Sequence, residues 1–293
     1  MFSVIIPLYN KSYGIVRAIE SVLNQNHVVE YEIVIVNDGS TDDSILKIQK
    51  YLKKTNIKLI NQKNSGVSVA RNVGINNAKY NLICFLDADD WWESNFFSTL
   101  SNLIISYPVE NFFLMGYQKV INNQIKPVVL CKKIKIYDKF GMYFLNTRGL
   151  VTPSIVVRKE ILIEEGLFPE GVTLSEDLYL WSKIISKYSV VYNPIIVSNI
   201  LFEIDESRGN RFTKTPYVLD FYAKNKYLSV NLSGFLKYIY LAHLYQSFKI
   251  NDYQSWKKRW VVGLGIFPFF SLFFIFMGLI IILRKRFGND KTK

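Results

Sequence analysis

The stretch FLDADDWW, residues 85–92, sets three carboxylates directly behind an apolar run. Asp87, Asp89 and Asp90 follow Leu82-Ile83-Cys84-Phe85-Leu86. Carboxylates this crowded raise one another's pKa unless a positive group separates them. Paired acids on a short loop suit a hard divalent cation, because Mg²⁺ and Mn²⁺ bridge one or two carboxylates to a diphosphate. The spacing therefore points to a cation at Asp87 and Asp89. A second acidic pair, Glu176-Asp177, follows Ser175 in the pattern of a serine-capped helix start. Asp38 opens the turn Asp38-Gly39-Ser40, and Arg71 lies in a helix-like stretch. Each has a plainer reading: an acidic turn, helix caps (Asp89 and Asp90 for a helix near Trp91), a solvated charge. Together they deliver acids and small polar groups to one edge of one sheet, and that favours chemistry.

The elements that carry these residues follow from periodicity. Short β-branched runs at 2–7, 32–36, 57–60 and 82–86 alternate with helical spacing at 15–23, 45–52 and 67–78. That alternation predicts an α/β fold with a mostly parallel central sheet covered on both faces. In such sheets ligands bind beyond the carboxyl ends of the strands, which is where Tyr9-Asn10, Asn37–Ser40 and Asp87–Asp89 fall. Further strands are expected at 112–120, 127–130 and 154–157. The expected organisation is a catalytic domain over 1–215, with a nucleotide-binding half (1–107) and an acceptor-binding half (108–215). An aromatic-rich helical region (216–256) and a basic-flanked apolar tail (257–293) follow it.

The net charge of +12 lies mostly in that tail, since residues 257–293 alone carry +7. A nucleic-acid partner needs its basic face on the folded domain, so none is expected. Two distant cysteines, Cys84 and Cys131, give no disulfide framework and fit a reducing compartment. The first residues read as a strand, not as a signal peptide. Residues 261–283 hold no charge, and as a helix they reach roughly 35 Å, enough to cross a bilayer core. Lys257-Lys258-Arg259 and Arg284-Lys285-Arg286 flank them, with Trp256 and Trp260 at the entry. Membrane association through 257–286 is expected, either as a full crossing or as a hairpin or in-plane helix broken at Pro268.

The segments SVIIPLYN, EIVIVNDGSTDDS, NSGVSVARNVGI, LICFLDADDWW and LSEDLYLW resemble, in sequence and order, the family 2 glycosyltransferases of the GT-A fold. The likeness spans residues 2–190. It implies inverting transfer of a sugar from a nucleoside-diphosphate sugar (a UDP-sugar before others) with Mn²⁺ or Mg²⁺. It assigns Pro7, Leu8 and Tyr9 to the base and ribose pocket, Asp38 to the base, and Arg71 to the nucleotide. Asp87 goes to the ribose or the metal shell, Asp89 to the metal, Asp177 to the general base and Glu176 to the acceptor. Relatives place a His or an Arg-rich segment on the diphosphate; here FEIDESRGNRFTK offers Arg208 and Arg211 but no His. His27 and His243 read as structural.

The resulting expectation is a transferase on the cytoplasmic face of the inner membrane. Its acceptor is a lipid-linked or other glycan, in O-antigen, capsule or glycolipid synthesis. A metal-dependent nucleotidyl or phosphoryl transferase has no use for the acids at 176–177, and no GxxxxGK[ST] loop is present. A non-catalytic nucleotide-sugar-binding membrane scaffold needs no base at Asp177. A glycoside hydrolase uses two carboxylates but no nucleotide pocket.

Overall fold

The structure is a computed structural model. It describes residues 1–138, 150–202 and 216–225, with single positions between 236 and 261. The first hundred residues alternate as the periodicity requires: β1 (Phe2–Leu8), α1 (Ile15–Leu23), β2 (Tyr31–Asn37), α2 (Ser44–Ile48), β3 (Ile57–Asn61), α3 (Val67–Asn77) and β4 (Leu82–Phe85). Then come β5 (Trp91–Trp92), α4 (Phe96–Ser106), β6 (Phe112–Ile121), β7 (Gln124–Val128), β8 (Lys135–Tyr137), β9 (Ile155–Arg158), α5 (Lys159–Glu164), α6 (Glu176–Lys187) and β10 (Val190–Leu201). A last described helix, α7, is Tyr217–Asn225.

Side chains of a strand alternate between the two faces of its sheet, and both faces of β1 and β2 are apolar. Phe2, Val4, Ile6 and Leu8 join Ile33 and Ile35 in one cluster with Ile15, Ala18, Ile19 and Val22 of α1 and Phe96, Phe97, Leu100 and Leu103 of α4. Val34 and Val36 point the other way, onto Ala70 of α3. Gly74 lets α3 settle onto β1, because a Cβ there would lie 2.4 Å from Ile5 Cγ2.

The sheet order is β3-β2-β1-β4-β9-β6-β10-β5, with β7 on β6 and β8 on β10. Strands β3, β2, β1 and β4 are parallel, as expected. The rest corrects the expectation of a mostly parallel sheet. β9 runs antiparallel between β4 and β6, and β5, β7 and β8 each pair antiparallel; only β6 and β10 pair in parallel. Helical crossovers link the parallel strands of the first half, whereas β9 runs backwards between β4 and β6. Its reversal has a consequence. The single turn Thr152–Ser154 that leads into β9 comes to the same edge as the carboxyl end of β4.

The helix expected near Trp91 is also corrected. Trp91 and Trp92 form a short strand on β10, opposite Asn199 and Ser198. The helix starts later, at Phe96. Trp92 stacks on Phe96 at 3.6 Å between ring centroids and donates Nε1–H to the Pro153 carbonyl at 2.9 Å.

The chain divides into two compact units, Met1–Ile204 and Asp205–Lys293. In the second, α7 has Val218, Leu219 and Tyr222 buried. Arg208, Arg211 and residues 262–286 lie outside the described residues. Among the described residues no helix is long and apolar enough to cross a membrane.

Candidate active site

Three loops meet at the carboxyl ends of β1, β2 and β4. Pro7 and Leu8 are buried at the end of β1, and Tyr9 stands 46% exposed beyond them. Asn10, at φ 49°, turns its amide onto the next loop, where Oδ1 accepts Thr41 N–H at 2.8 Å. Ser40 Oγ in turn accepts the Asn10 N–H at 3.1 Å.

Helix α3 gathers the rest. Asp38 is 3% exposed and sits at the amino end of this helix. Its Oδ1 accepts Gln62 Nε2 at 2.7 Å and Ser65 N–H at 2.8 Å, and its Oδ2 accepts Gly66 N–H at 2.9 Å. A carboxylate there satisfies backbone donors that the helix leaves free and meets the positive end of its dipole. One turn on, Arg71 is 4% exposed. Its Nη2 donates to Asp87 Oδ1 at 2.8 Å and its Nη1 to Glu176 Oε1 at 3.2 Å. Burial works against the Arg71 charge, but the carboxylates of Asp87, Glu176 and Asp177 outweigh it and hold the guanidinium protonated. Asn72 clamps the next segment: its Nδ2 donates to the Phe168 carbonyl and its Oδ1 accepts the Phe168 N–H, both at 2.9 Å.

The three carboxylates of the 87–90 loop diverge to three partners. Asp87 takes Arg71. Asp89 Oδ2 takes Lys11 Nζ at 2.7 Å, with Tyr13 OH at 3.4 Å. Asp90 Oδ1 accepts the Leu201 N–H at 2.8 Å and ties the loop to β10. The backbone is gripped as well, since Arg17 Nη2 donates to the Asp89 carbonyl at 2.8 Å while its guanidinium lies 3.7 Å from the Trp91 ring centroid. Gly14 packs against this loop; a Cβ there would meet the Ala88 oxygen at 2.6 Å. Two protein cations and a backbone donor thus separate charges that crowding alone would force apart.

The first turn of α6 is different. Ser175 precedes it at φ 59°, in the left-handed region, and its Oγ makes no capping hydrogen bond and is buried without a partner among the described residues. The expected serine cap is therefore present in position but not in bonding. Asp177 Oδ1 accepts the Leu178 N–H at 2.7 Å, and Thr152 Oγ1 donates to Oδ2 at 3.4 Å. A rim of Asp177 stays accessible, but the surrounding protein strips solvent from its carboxyl. That desolvation, with the neighbouring Glu176 charge, pushes the Asp177 pKa up to about 7; Arg71 pulls the other way without cancelling it.

Among the described residues no three His, Cys, Asp or Glu side chains gather as a metal site. A divalent cation of another kind is held by one or two carboxylates and completed by substrate phosphates. Asp87 and Asp89 fit that kind, two residues apart at the sheet edge. Lys11, Gly14, Gln62, Asn72 and Thr152 join the site without having been singled out in the sequence. Lys11 and Gly14 carried a signal, in the polar loop behind Tyr9-Asn10, and so did Gln62, in the polar run before α3. Asn72 stood beside Arg71. Nothing marked Thr152.

A model of glycosyl transferase family 2 matches residues 3–165. An uncharacterized glycosyltransferase of Rickettsia felis is 37% identical over 192 residues, which are 64% of this chain and 31% of that protein. The chain spans less than a third of the length of the first such relatives. The UDP-Glc:alpha-D-GlcNAc-diphosphoundecaprenol beta-1,3-glucosyltransferase WfgD of Escherichia coli is 28% identical over 193 residues, 65% of this chain and 72% of its own. The crystal structure of S. aureus TarS 1-349 in complex with UDP-GlcNAc superposes with a TM-score of 0.72 at 19% identity, covering 90% of this chain and 81% of that one. This last likeness is one of fold, and it identifies the mixed sheet as GT-A-like.

Proposed function

The chain belongs to glycosyl transferase family 2, and on that premise we propose an inverting transfer of a sugar from a nucleoside-diphosphate sugar to an acceptor hydroxyl. One observation carries this reading. A single buried guanidinium, Arg71, holds Asp87 of the β4 loop and Glu176 beside Asp177. The acids suited to the leaving group and the acid suited to the nucleophile therefore converge.

Asp177 takes the acceptor proton. A general base works best when its pKa lies near the working pH, and desolvation brings Asp177 there. The Leu178 N–H and the Thr152 hydroxyl fix its two oxygens. Attack from the side of this one base, opposite the leaving group, gives inversion. Asp89 and Asp87 would hold Mn²⁺ or Mg²⁺, which supplies charge stabilisation for the departing diphosphate. Asp38, with Pro7, Leu8 and Tyr9 along the same edge, forms the donor side. Glu176 is held by Arg71 and reaches the acceptor only through its remaining oxygen.

The donor is a UDP-sugar and the acceptor a lipid-linked glycan, at the cytoplasmic face of the membrane. Support comes from the donor and lipid diphosphate in the name of the WfgD relative, from the UDP-GlcNAc held by TarS, and from the apolar, basic-flanked 257–286 segment. Tethering at a membrane raises the effective concentration of such an acceptor. The test mixes the protein, Mn²⁺ and a membrane lipid extract with UDP-, GDP- and dTDP-sugars in turn, and reads nucleoside diphosphate release. Extract-dependent release with one UDP-sugar is expected. Release from none of the donors would overturn the reading.

A further inference from the structure

We propose that Lys11 competes with a divalent cation for Asp89, so that the site loads its cation only together with the diphosphate. The inference rests on the reading of Asp89 as a cation-binding carboxylate. It concerns a residue that the resemblance leaves without a role.

The Lys11 ammonium lies 2.7 Å from Asp89 Oδ2, at the distance of a charge-assisted hydrogen bond. This is not a loose surface pair. Asp89 is only 16% exposed at its side chain. Lys11 is fastened at both ends: its backbone N–H donates to Ser44 Oγ at 3.1 Å, and its ammonium also donates to Tyr13 OH at 2.8 Å. The β4 loop is held against it by Arg17 on the Asp89 carbonyl and by the close approach of Gly14 to Ala88. The ammonium therefore already occupies Oδ2 of the carboxylate. A divalent ion on the same carboxylate meets this positive charge at close range, so Lys11 opposes its binding until the ammonium moves aside.

A free cation brings nothing to receive the displaced ammonium. A cation arriving with a diphosphate brings phosphate oxygens to which Lys11 can turn. Coupling of this kind is reciprocal: the nucleotide strengthens cation binding by the factor by which the cation strengthens nucleotide binding, commonly about 5–150-fold. Lys11 sets that factor by weakening the cation-only state.

The experiment titrates Mn²⁺ by electron paramagnetic resonance into the full chain, as wild type, Lys11→Gln, Lys11→Arg and the Lys11→Gln, Asp89→Asn double variant, with and without UDP. Without UDP, Lys11→Gln is expected to bind Mn²⁺ about tenfold more tightly than wild type, inside the usual coupling range. Lys11→Arg, which keeps the charge, should stay near wild type, and the Lys11→Gln, Asp89→Asn double variant should lose the gain. Equal Mn²⁺ affinity of wild type and Lys11→Gln without UDP overturns the proposal, and so does a gain that survives in the double variant. The UDP arm tests the functional reading separately. If Lys11→Gln tightens Mn²⁺ binding but UDP changes neither protein, the competition stands, while the coupled loading and the UDP-donor reading fail.

Discussion

The loop after β4 and the first turn of α6 each bring adjacent acids to one edge of the sheet, yet they treat them oppositely. In the loop every carboxylate has a partner of its own: Arg71 for Asp87, Lys11 for Asp89, the Leu201 N–H for Asp90. At α6 only Glu176 is paired, through the far side of the same Arg71. Asp177 has a backbone N–H, a hydroxyl and a like-charged neighbour, and its pKa rises to about 7. A carboxylate with a cation in contact is held in place by it. A carboxylate deprived of both water and cation accepts a proton near neutral pH.

Several changes would break that contrast. Asp177→Asn should lower turnover by about 10²–10⁴, the usual contribution of one base, with donor binding unchanged by thermal shift. Full turnover in this variant would remove Asp177 from the reaction. Arg71→Met leaves Glu176, 13% exposed, and Asp87, 31% exposed, without their cation. Breaking a buried pair costs about 3–5 kcal/mol, and solvent at Asp87 puts this one at the lower end, to be read from denaturant unfolding; an unchanged midpoint would mean that the bridge is not structural. Gly14→Ala drives a methyl into the Ala88 carbonyl. Overpacking of this kind costs about 1–3 kcal/mol, and it should also weaken Mn²⁺-dependent donor binding by shifting the Asp89 backbone.

The finest test is a pH profile. The Asp177 pKa is raised, so its basic form fills as pH climbs through about 7 and is lost below it. Turnover should therefore rise across that range. Glu176→Gln removes the neighbouring charge that helps to raise this pKa, so the rising limb should move to lower pH. A limb that stays in place would show that burial alone sets the base.

Much of this site was legible in the chain. Asp38, Asp87 and Asp89 fall at strand ends because apolar runs at 2–7, 32–36 and 82–86 define parallel strands, and parallel strands put their carboxyl ends on one edge. The other half of the sheet was less legible. β9 and β5 are short and their direction depends on what they pair with, so nothing in the residues 91–92 or 155–158 announces an antiparallel strand.

The sequence by itself settled which acids exist, which strand ends they follow and the order of the motifs, because those are matters of local periodicity and turn chemistry. The tertiary structure alone decided which cation each acid meets. Lys11 reaches Asp89 across 78 positions and Arg71 reaches Glu176 across 105. Ionisation depends on distance and solvent exclusion, both properties of the folded packing, and so the difference between a carboxylate that holds and one that takes a proton appears only once Arg71 of α3 meets the β4 loop and α6.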